Sequence, residues 1–103
     1  MKLDNLTEAI QLNKINITRH ARQEAKNDLL TLDDILFSTD NGEIIASYPD
    51  DKPYPSCLIY GNTSMDAPVH SVWAYDSVNH IAILITVYRP DPNRWINWKE
   101  RRK

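Results

Sequence analysis

The segment that most constrains the fold of this chain is the apolar run of residues 81–87, which two prolines follow closely. A near-continuous run of mostly β-branched residues predicts a buried strand. Pro90 and Pro92 cannot donate ladder hydrogen bonds, so the strand must end before them. Around this end lie a phenol, two guanidinium groups and an indole, from Tyr88, Arg89, Arg94 and Trp95. This combination predicts a rim that holds an anionic, planar ligand.

The length and composition of the chain indicate a small globular protein. A chain of 103 residues has the size of one domain, and its hydrophobic fraction of 42% suits a packed core. No stretch approaches the roughly 20 apolar residues that a membrane-spanning helix needs, and the first residues lack the pattern of a signal peptide. A lone Cys57 forms no internal disulfide. We therefore expect a soluble, cytoplasmic protein with no membrane association.

The net charge of −2 hides an uneven distribution along the chain. Residues 86–103 carry six Lys and Arg against two acids, and residues 14–26 carry four against one. Residues 28–76 hold one Lys and nine acids. Two interpretations are open: the basic segments meet in a patch that attracts phosphate groups, or they are ordinary solvated surface.

Helical patterns occupy the first part of the chain. Leu6 and Ile10 indicate a short amphipathic helix over residues 4–13. Thr18 and Thr31 are good N-caps and predict helices that begin just after them. Gly42 is expected to end the last helix in a left-handed conformation. The sequence thus predicts two or three N-terminal helices.

Strand patterns occupy the rest of the chain. They cover residues 44–48, 56–60, 69–75 and 81–87. Short connections make the later strands antiparallel neighbours. The predicted fold is α+β, with the helices packed on one face of a four-stranded antiparallel sheet. In the last strand, the odd-numbered face from Ile81 to Val87 is expected to pack against the helices.

Three kinds of side chain are candidates for acid–base chemistry. His20 and Glu24 lie one helical turn apart, so the carboxylate can orient the imidazole as a general base, or the two form an ordinary exposed pair. His70 lies in a predicted strand and is either a core histidine or an acid. Tyr88 is either a proton donor or a packing residue at the end of its strand.

Candidate anion ligands are the guanidinium groups of Arg22, Arg89 and Arg94. The sequence contains no phosphate-binding glycine loop, no zinc-ligand spacing and no serine-nucleophile motif, so we expect neither a cofactor nor a metal.

Several segments, taken in order, resemble the bacterial domain of unknown function 4258 family. They are ITRHAR at 17–22, NGEII at 41–45, YPDDKPYPSCL at 48–58, PVH at 68–70, WAY at 73–75 and ITVYRPDPNRW at 85–95. The resemblance covers residues 15–98. It leaves a leader helix in residues 1–14 and a basic tail in residues 99–103 of a single domain, 1–103.

Members of this family distantly resemble RelE-type ribonuclease toxins of toxin–antitoxin pairs. The resemblance implies a RelE-like two-layer domain that cleaves RNA without a metal, with an antitoxin protein as its partner. Common members carry arginines where this chain has Glu24 and Asp28, whereas His20, His70 and Tyr88 match. The alternative is a non-catalytic protein-interaction or regulatory domain that docks through its aromatic tail, since aromatic anchors are typical of interfaces.

Overall fold

The chain forms an α+β domain in which a helical layer covers one face of a mixed sheet. The computed structural model describes residues 2–103. Its helices are α1 (Leu3–Gln11), α2 (Arg19–Asn27) and α3 (Leu32–Asp40). Its strands are β1 (Ile15–Ile17), β2 (Glu43–Tyr48), β3 (Ser56–Asn62), β4 (Pro68–Asp76), β5 (Ile81–Tyr88), β6 (Trp95–Ile96) and β7 (Glu100–Arg101). None of the described helices has the length and apolar content needed to cross a membrane.

The two predicted N-caps are confirmed. The Thr18 hydroxyl accepts a hydrogen bond from the Ala21 amide at 3.0 Å, which satisfies a free N–H group at the start of α2. Thr31 forms a full capping box with Asp34 at the start of α3. The Thr18 hydroxyl also donates to the Ile85 carbonyl at 3.0 Å. The start of α2 is therefore tied directly to β5.

The sheet has five strands in the order β1-β5-β4-β3-β2, so the prediction of a four-stranded antiparallel sheet was wrong in two respects. The missed strand is β1, and it pairs with β5 in parallel, Ile15 opposite Ala82 and Ile17 opposite Leu84. Three residues are too few for alternation to be recognised in a sequence. The remaining strands pair antiparallel, as predicted.

The prediction for the buried face of β5 was right for Val87 but wrong for Ile81, Ile83 and Ile85, which are only partly buried. The core residues of this strand are Ala82, Leu84 and Val87, which pack with the helices in one apolar cluster. The register of β4 and β5 shifts between Val72 and Trp73, which leaves Ile85 as an extra residue in β5. This bulge reverses the alternation, so that Leu84 and Val87 face the same side.

The glycines allow α3 to lie very close to the sheet. Gly42 does not have the predicted left-handed conformation, because neither glycine has a positive φ. A Cβ atom on Gly42 would lie 2.7 Å from the carbonyl oxygen of Ser38 in α3, and one on Gly61 would lie 1.7 Å from the same oxygen. Both distances are shorter than a van der Waals contact, so these positions admit only hydrogen.

Replacing Gly61 with Ala should therefore destabilise the fold. The new methyl group meets backbone rather than a movable side chain, so α3 must shift, at a cost of about 3 kcal/mol in the free energy of unfolding. Urea denaturation monitored by tryptophan fluorescence measures the difference. The matched control is Ser64→Ala at an exposed position, for which we expect a change below about 0.5 kcal/mol. Equal stability of the two variants would contradict the close-approach explanation.

Candidate anion-binding site beside the C-terminal hairpin

The chain beyond β5 turns back and covers part of the sheet face opposite the helices. Asp91 organises the turn, since its side chain accepts from the Asn93 amide at 2.9 Å and its carbonyl accepts from the Arg94 amide at 2.9 Å. The strands β6 and β7 then pair antiparallel as a small hairpin. Asn97 and Trp98, in its tight turn, both have left-handed φ values. Such a turn matches the twist of the paired strands.

A row of aromatic rings lies under this hairpin. Tyr60, His70 and Tyr88 are directly opposite one another on β3, β4 and β5, so their side chains share one face of the sheet. The Trp95 ring lies edge-on to the His70 ring, with centroids 4.4 Å apart. His70 is fully buried as a result.

Both ring nitrogens of His70 are hydrogen-bonded. The Nε2 atom lies 2.6 Å from the Trp98 carbonyl oxygen, and the Nδ1 atom lies 3.2 Å from the Tyr88 hydroxyl. A carbonyl only accepts, so Nε2 must carry the hydrogen and a neutral imidazole accepts the Tyr88 proton at Nδ1. The result is a chain of hydrogen bonds from the Tyr88 hydroxyl through His70 to a backbone carbonyl.

Burial shifts the pKa values of this pair away from each other. Loss of solvent lowers the pKa of His70, and the hydrogen bond to the Trp98 carbonyl opposes this only in part. Loss of solvent raises the pKa of Tyr88, the nearby Tyr48 raises it further, and Arg101 lowers it by a smaller amount. At neutral pH the imidazole is therefore neutral and the phenol keeps its proton.

Tyr88 forms one wall of an open cleft of about 380 Å³. We call it the tri-arginine cleft; its lining residues are Tyr88, Arg89, Asp91, Arg94, Trp95 and Arg101. Three guanidinium groups against one carboxylate give it a positive charge, in a chain whose net charge is negative. The Arg101 guanidinium lies 5.5 Å from the centre of the Trp95 ring, in a cation–π arrangement.

The cleft arginines are not neutralised by ion pairs. Within residues 2–103, the ion pair present is Lys99 with Glu43, at 2.7 Å. Arg89 donates from Nε to the Asp28 carbonyl at 2.8 Å, and its backbone amide donates to the Asp28 carboxylate. A carbonyl fixes the position of the guanidinium without cancelling its charge. The site thus offers oriented cations, which suit a phosphate or carboxylate ligand.

The candidate residues from the sequence fall into two groups in space. Tyr88, Arg89 and Arg94 line the cleft and His70 lies beneath it. The other group is on α2 and consists of His20, Arg22 and Glu24. Within the described residues, His20 makes no ion pair with Glu24.

The two groups are separated along α2. Arg89 binds the carbonyls of Asp28 and Leu29, which directly follow the last residue of this helix, Asn27, whereas His20 is in its first turn. Eight residues of helix correspond to about 12 Å along the axis. His20 is not among the residues that line the cleft, and a site that combines it with the cleft arginines stays a prediction.

Two components of the site were missed in the sequence. Arg101 was assigned to a basic tail, and only its pairing opposite Trp95 across the short hairpin brings it to the cleft. The Trp98 carbonyl is a backbone group, so no residue type signals it. Within the described residues there is no group of three or more His, Cys, Asp or Glu that could hold a metal ion.

The burial of His70 predicts a dependence of stability on pH. Its pKa in the folded chain lies below the ordinary value of 6.5, so the unfolded chain binds more protons as the pH falls through that value. The contribution of His70 to the free energy of unfolding is therefore fully present above about pH 7 and is lost as the pH falls toward about 5. Urea titrations at several pH values measure it.

The His70→Gln variant isolates this effect. Glutamine still donates to the Trp98 carbonyl but does not titrate, so the decrease between pH 7 and pH 5 should become smaller. His20→Gln, at an exposed position on α2, is the matched control and should keep the slope of the wild type. A slope that His70→Gln leaves unchanged would assign the pH dependence to other groups.

Comparison with known proteins identifies the family of the chain. The model of the domain of unknown function DUF4258 matches residues 17–89. No curated protein and no solved structure matches the chain. The matched segment runs from β1 to the start of the cleft and includes His70, Tyr88 and Arg89. Because the match covers most of the sequence, the chain belongs to the DUF4258 family of domains of unknown function.

Proposed function

We propose that the tri-arginine cleft binds the phosphodiester backbone of RNA, and that Tyr88 and His70 support metal-independent cleavage there. The observation that carries the proposal is the combination of three arginines without ion pairs and a Tyr88–His70–carbonyl hydrogen-bond chain at the same cleft. Metal-independent cleavage needs a base, cations for the phosphorane and a proton for the leaving oxygen. This cleft contains a candidate for each.

The hydrogen-bond chain suggests the direction of proton transfer. The Tyr88 hydroxyl donates to His70, so its oxygen lone pairs are free to accept the proton of a ribose 2′-hydroxyl. As that proton arrives, the Tyr88 proton moves to Nδ1 of His70, and the Trp98 carbonyl stabilises the imidazolium through Nε2–H. The 2′-oxygen attacks phosphorus, and the same chain returns a proton to the leaving 5′-oxygen. The products are a 2′,3′-cyclic phosphate and a 5′-hydroxyl end.

The arginines have a separate role in this proposal. Arg94 and Arg101 are exposed at the cleft, where their guanidinium groups can hold two phosphate oxygens and stabilise the charge of the phosphorane. Arg89 is fixed by the end of α2 and supplies a positioned positive charge. We assign no catalytic role to His20, Arg22 and Glu24, because none of them is among the lining residues of the cleft.

On this proposal the domain is toxin-like, with an activity of the RelE type, and an antitoxin protein restrains it. The α+β layout with a basic cleft on the open face of the sheet supports this assignment.

The second candidate is a non-catalytic interaction domain. Its support is the negative net charge and the exposure of Leu29 and Phe37, although the aromatic tail is folded onto the sheet, with Trp95 half-buried.

RNA binding is tested with a fluorescein-labelled single-stranded oligonucleotide and fluorescence anisotropy. Arg94→Ala should weaken binding about fivefold to tenfold. It should also reduce the magnitude of the slope of log association constant against log salt concentration by about 0.7, the value for one lost phosphate contact. Lys52→Ala, at an exposed position in the loop between β2 and β3, removes the same charge outside the cleft. Equal losses for the two variants would indicate non-specific attraction instead of a site.

Cleavage is tested with purified protein and RNA in the presence of EDTA. Tyr88→Phe keeps the ring but removes the hydroxyl, so the rate should fall by about 10²-fold to 10⁴-fold. Tyr75→Phe removes a hydroxyl that bonds His80 outside the cleft lining and should leave the rate unchanged. His20→Ala distinguishes the two groups of candidates: retained cleavage favours the cleft, and lost cleavage favours a site on α2. Binding without cleavage by the wild type would favour the interaction domain.

A further inference from the structure

A second concave surface lies on the helical side of the molecule, away from the tri-arginine cleft. It is a groove of about 240 Å³ that we call the α2–α3 groove. Its lining residues are Ile17, Ala21, Arg22, Ala25, Lys26, Leu30, Leu32 and Ile35. None of these residues lines the tri-arginine cleft, so the two surfaces are separate.

The shape of the groove follows from short side chains on α2. Ala21 and Ala25 are one helical turn apart and together form a low floor. Leu30 and Ile35 are buried below the surface and close the groove with apolar atoms. A row of alanines flanked by larger apolar residues leaves room for a side chain from another molecule.

Two exposed leucines are close to the groove in the sequence: Leu32 lines it, and Leu29 directly precedes the lining residue Leu30. Leu29 is 83% exposed and Leu32 is 48% exposed. Leu29 also has a left-handed φ of 55°, a conformation that is unfavourable for a residue with a Cβ atom. This left-handed residue ends α2, where the Leu29 and Leu30 amides donate to the Lys26 and Ala25 carbonyls. It leaves the Leu29 side chain in solvent, where an exposed apolar group is available to a partner.

The charge at the groove is positive. Arg22 and Lys26 line it, one helical turn apart, and no carboxylate is among its described lining residues. The whole chain carries a net charge of −2, so this local excess of cations is not a general property of the surface. Two cations about 6 Å apart match two carboxylates on successive turns of a partner helix.

We infer that the α2–α3 groove is a docking surface for an acidic amphipathic helix of another protein. The helix places leucine-like side chains over Ala21 and Ala25 and against Leu29, and its Asp or Glu residues face Arg22 and Lys26. This is the helix-in-groove mode of recognition, in which apolar anchors give affinity and charges fix orientation. The apolar lining favours such a helix over a nucleic acid, which pairs mainly with cations.

The experiment uses a designed helical peptide of about 18 residues, with leucines on one face and glutamates on both flanks. The full-length chain, labelled with ¹⁵N, is titrated with this peptide and with a peptide that has lysines in place of the glutamates. We expect saturable shifts of the amides of Ala21, Ala25 and Ile35 with the acidic peptide only. Shifts at the tri-arginine cleft instead, no shifts, or equal shifts with both peptides would overturn the inference.

A charge exchange provides the stronger test. The double variant Arg22→Glu with Lys26→Glu should lose about tenfold or more in affinity for the acidic peptide and gain affinity for the lysine peptide. The double variant Lys52→Glu with Lys103→Glu carries the same change of net charge at exposed positions outside the groove and should bind the acidic peptide like the wild type. An equal loss in both double variants would show attraction to net charge alone.

Leu29→Asn separates binding from folding. Asparagine tolerates a left-handed φ better than leucine, so the melting temperature should stay the same or rise. Affinity for the acidic peptide should nevertheless fall about fivefold to tenfold, because an apolar anchor is lost. Unchanged affinity would contradict the placement of an apolar side chain of the partner helix against Leu29. Displacement of the peptide by a short RNA, or dimerisation of the free chain in sedimentation, would assign the groove to a nucleic acid or to a second copy.

Discussion

The hydrogen bond between buried His70 and the Trp98 carbonyl is the contact on which the candidate site depends. It joins a central strand of the sheet to a hairpin that has few other direct bonds to it. Separating them would leave a ring nitrogen without its partner in an apolar environment, which is costly. Because Arg94, Trp95 and Arg101 all belong to the hairpin segment, the same bond positions most of the tri-arginine cleft.

The positive charge of the cleft acts only at short range. The surrounding chain is acidic, and salt screens exposed charges beyond about 8 Å under physiological conditions. A polyanion is therefore not attracted from a distance to this protein as it is to a basic one. Recognition at the cleft must depend on the fixed directions of the guanidinium groups, which Arg89 obtains from the Asp28 and Leu29 carbonyls.

Features set by local chemistry were predictable from the sequence. Thr18 and Thr31 cap their helices through side chains that bond three residues ahead. Prolines end β5 and so fix where Tyr88 and Arg89 emerge. Features set by distant partners were not predictable. The bulge at Ile85 follows from the pairing of β5 with β4. The pairing of Ile15 with Ala82 joins residues that are far apart in the sequence. The position of His20 relative to Arg89 depends on the direction of α2 in the folded chain.

The parallel pairing of β1 with β5 has a consequence for the order of folding. Residues 15–17 can pair only with residues 82–84, and the Thr18 hydroxyl bonds to Ile85. During synthesis, the first strand and the start of α2 therefore wait until residues 82–85 have emerged. Contacts of such long separation close slowly, so β1 and the start of α2 remain exposed while β2, β3 and β4 assemble. Over this interval the nascent chain offers Ile15 and Ile17 to any chaperone or partner that binds an extended apolar segment.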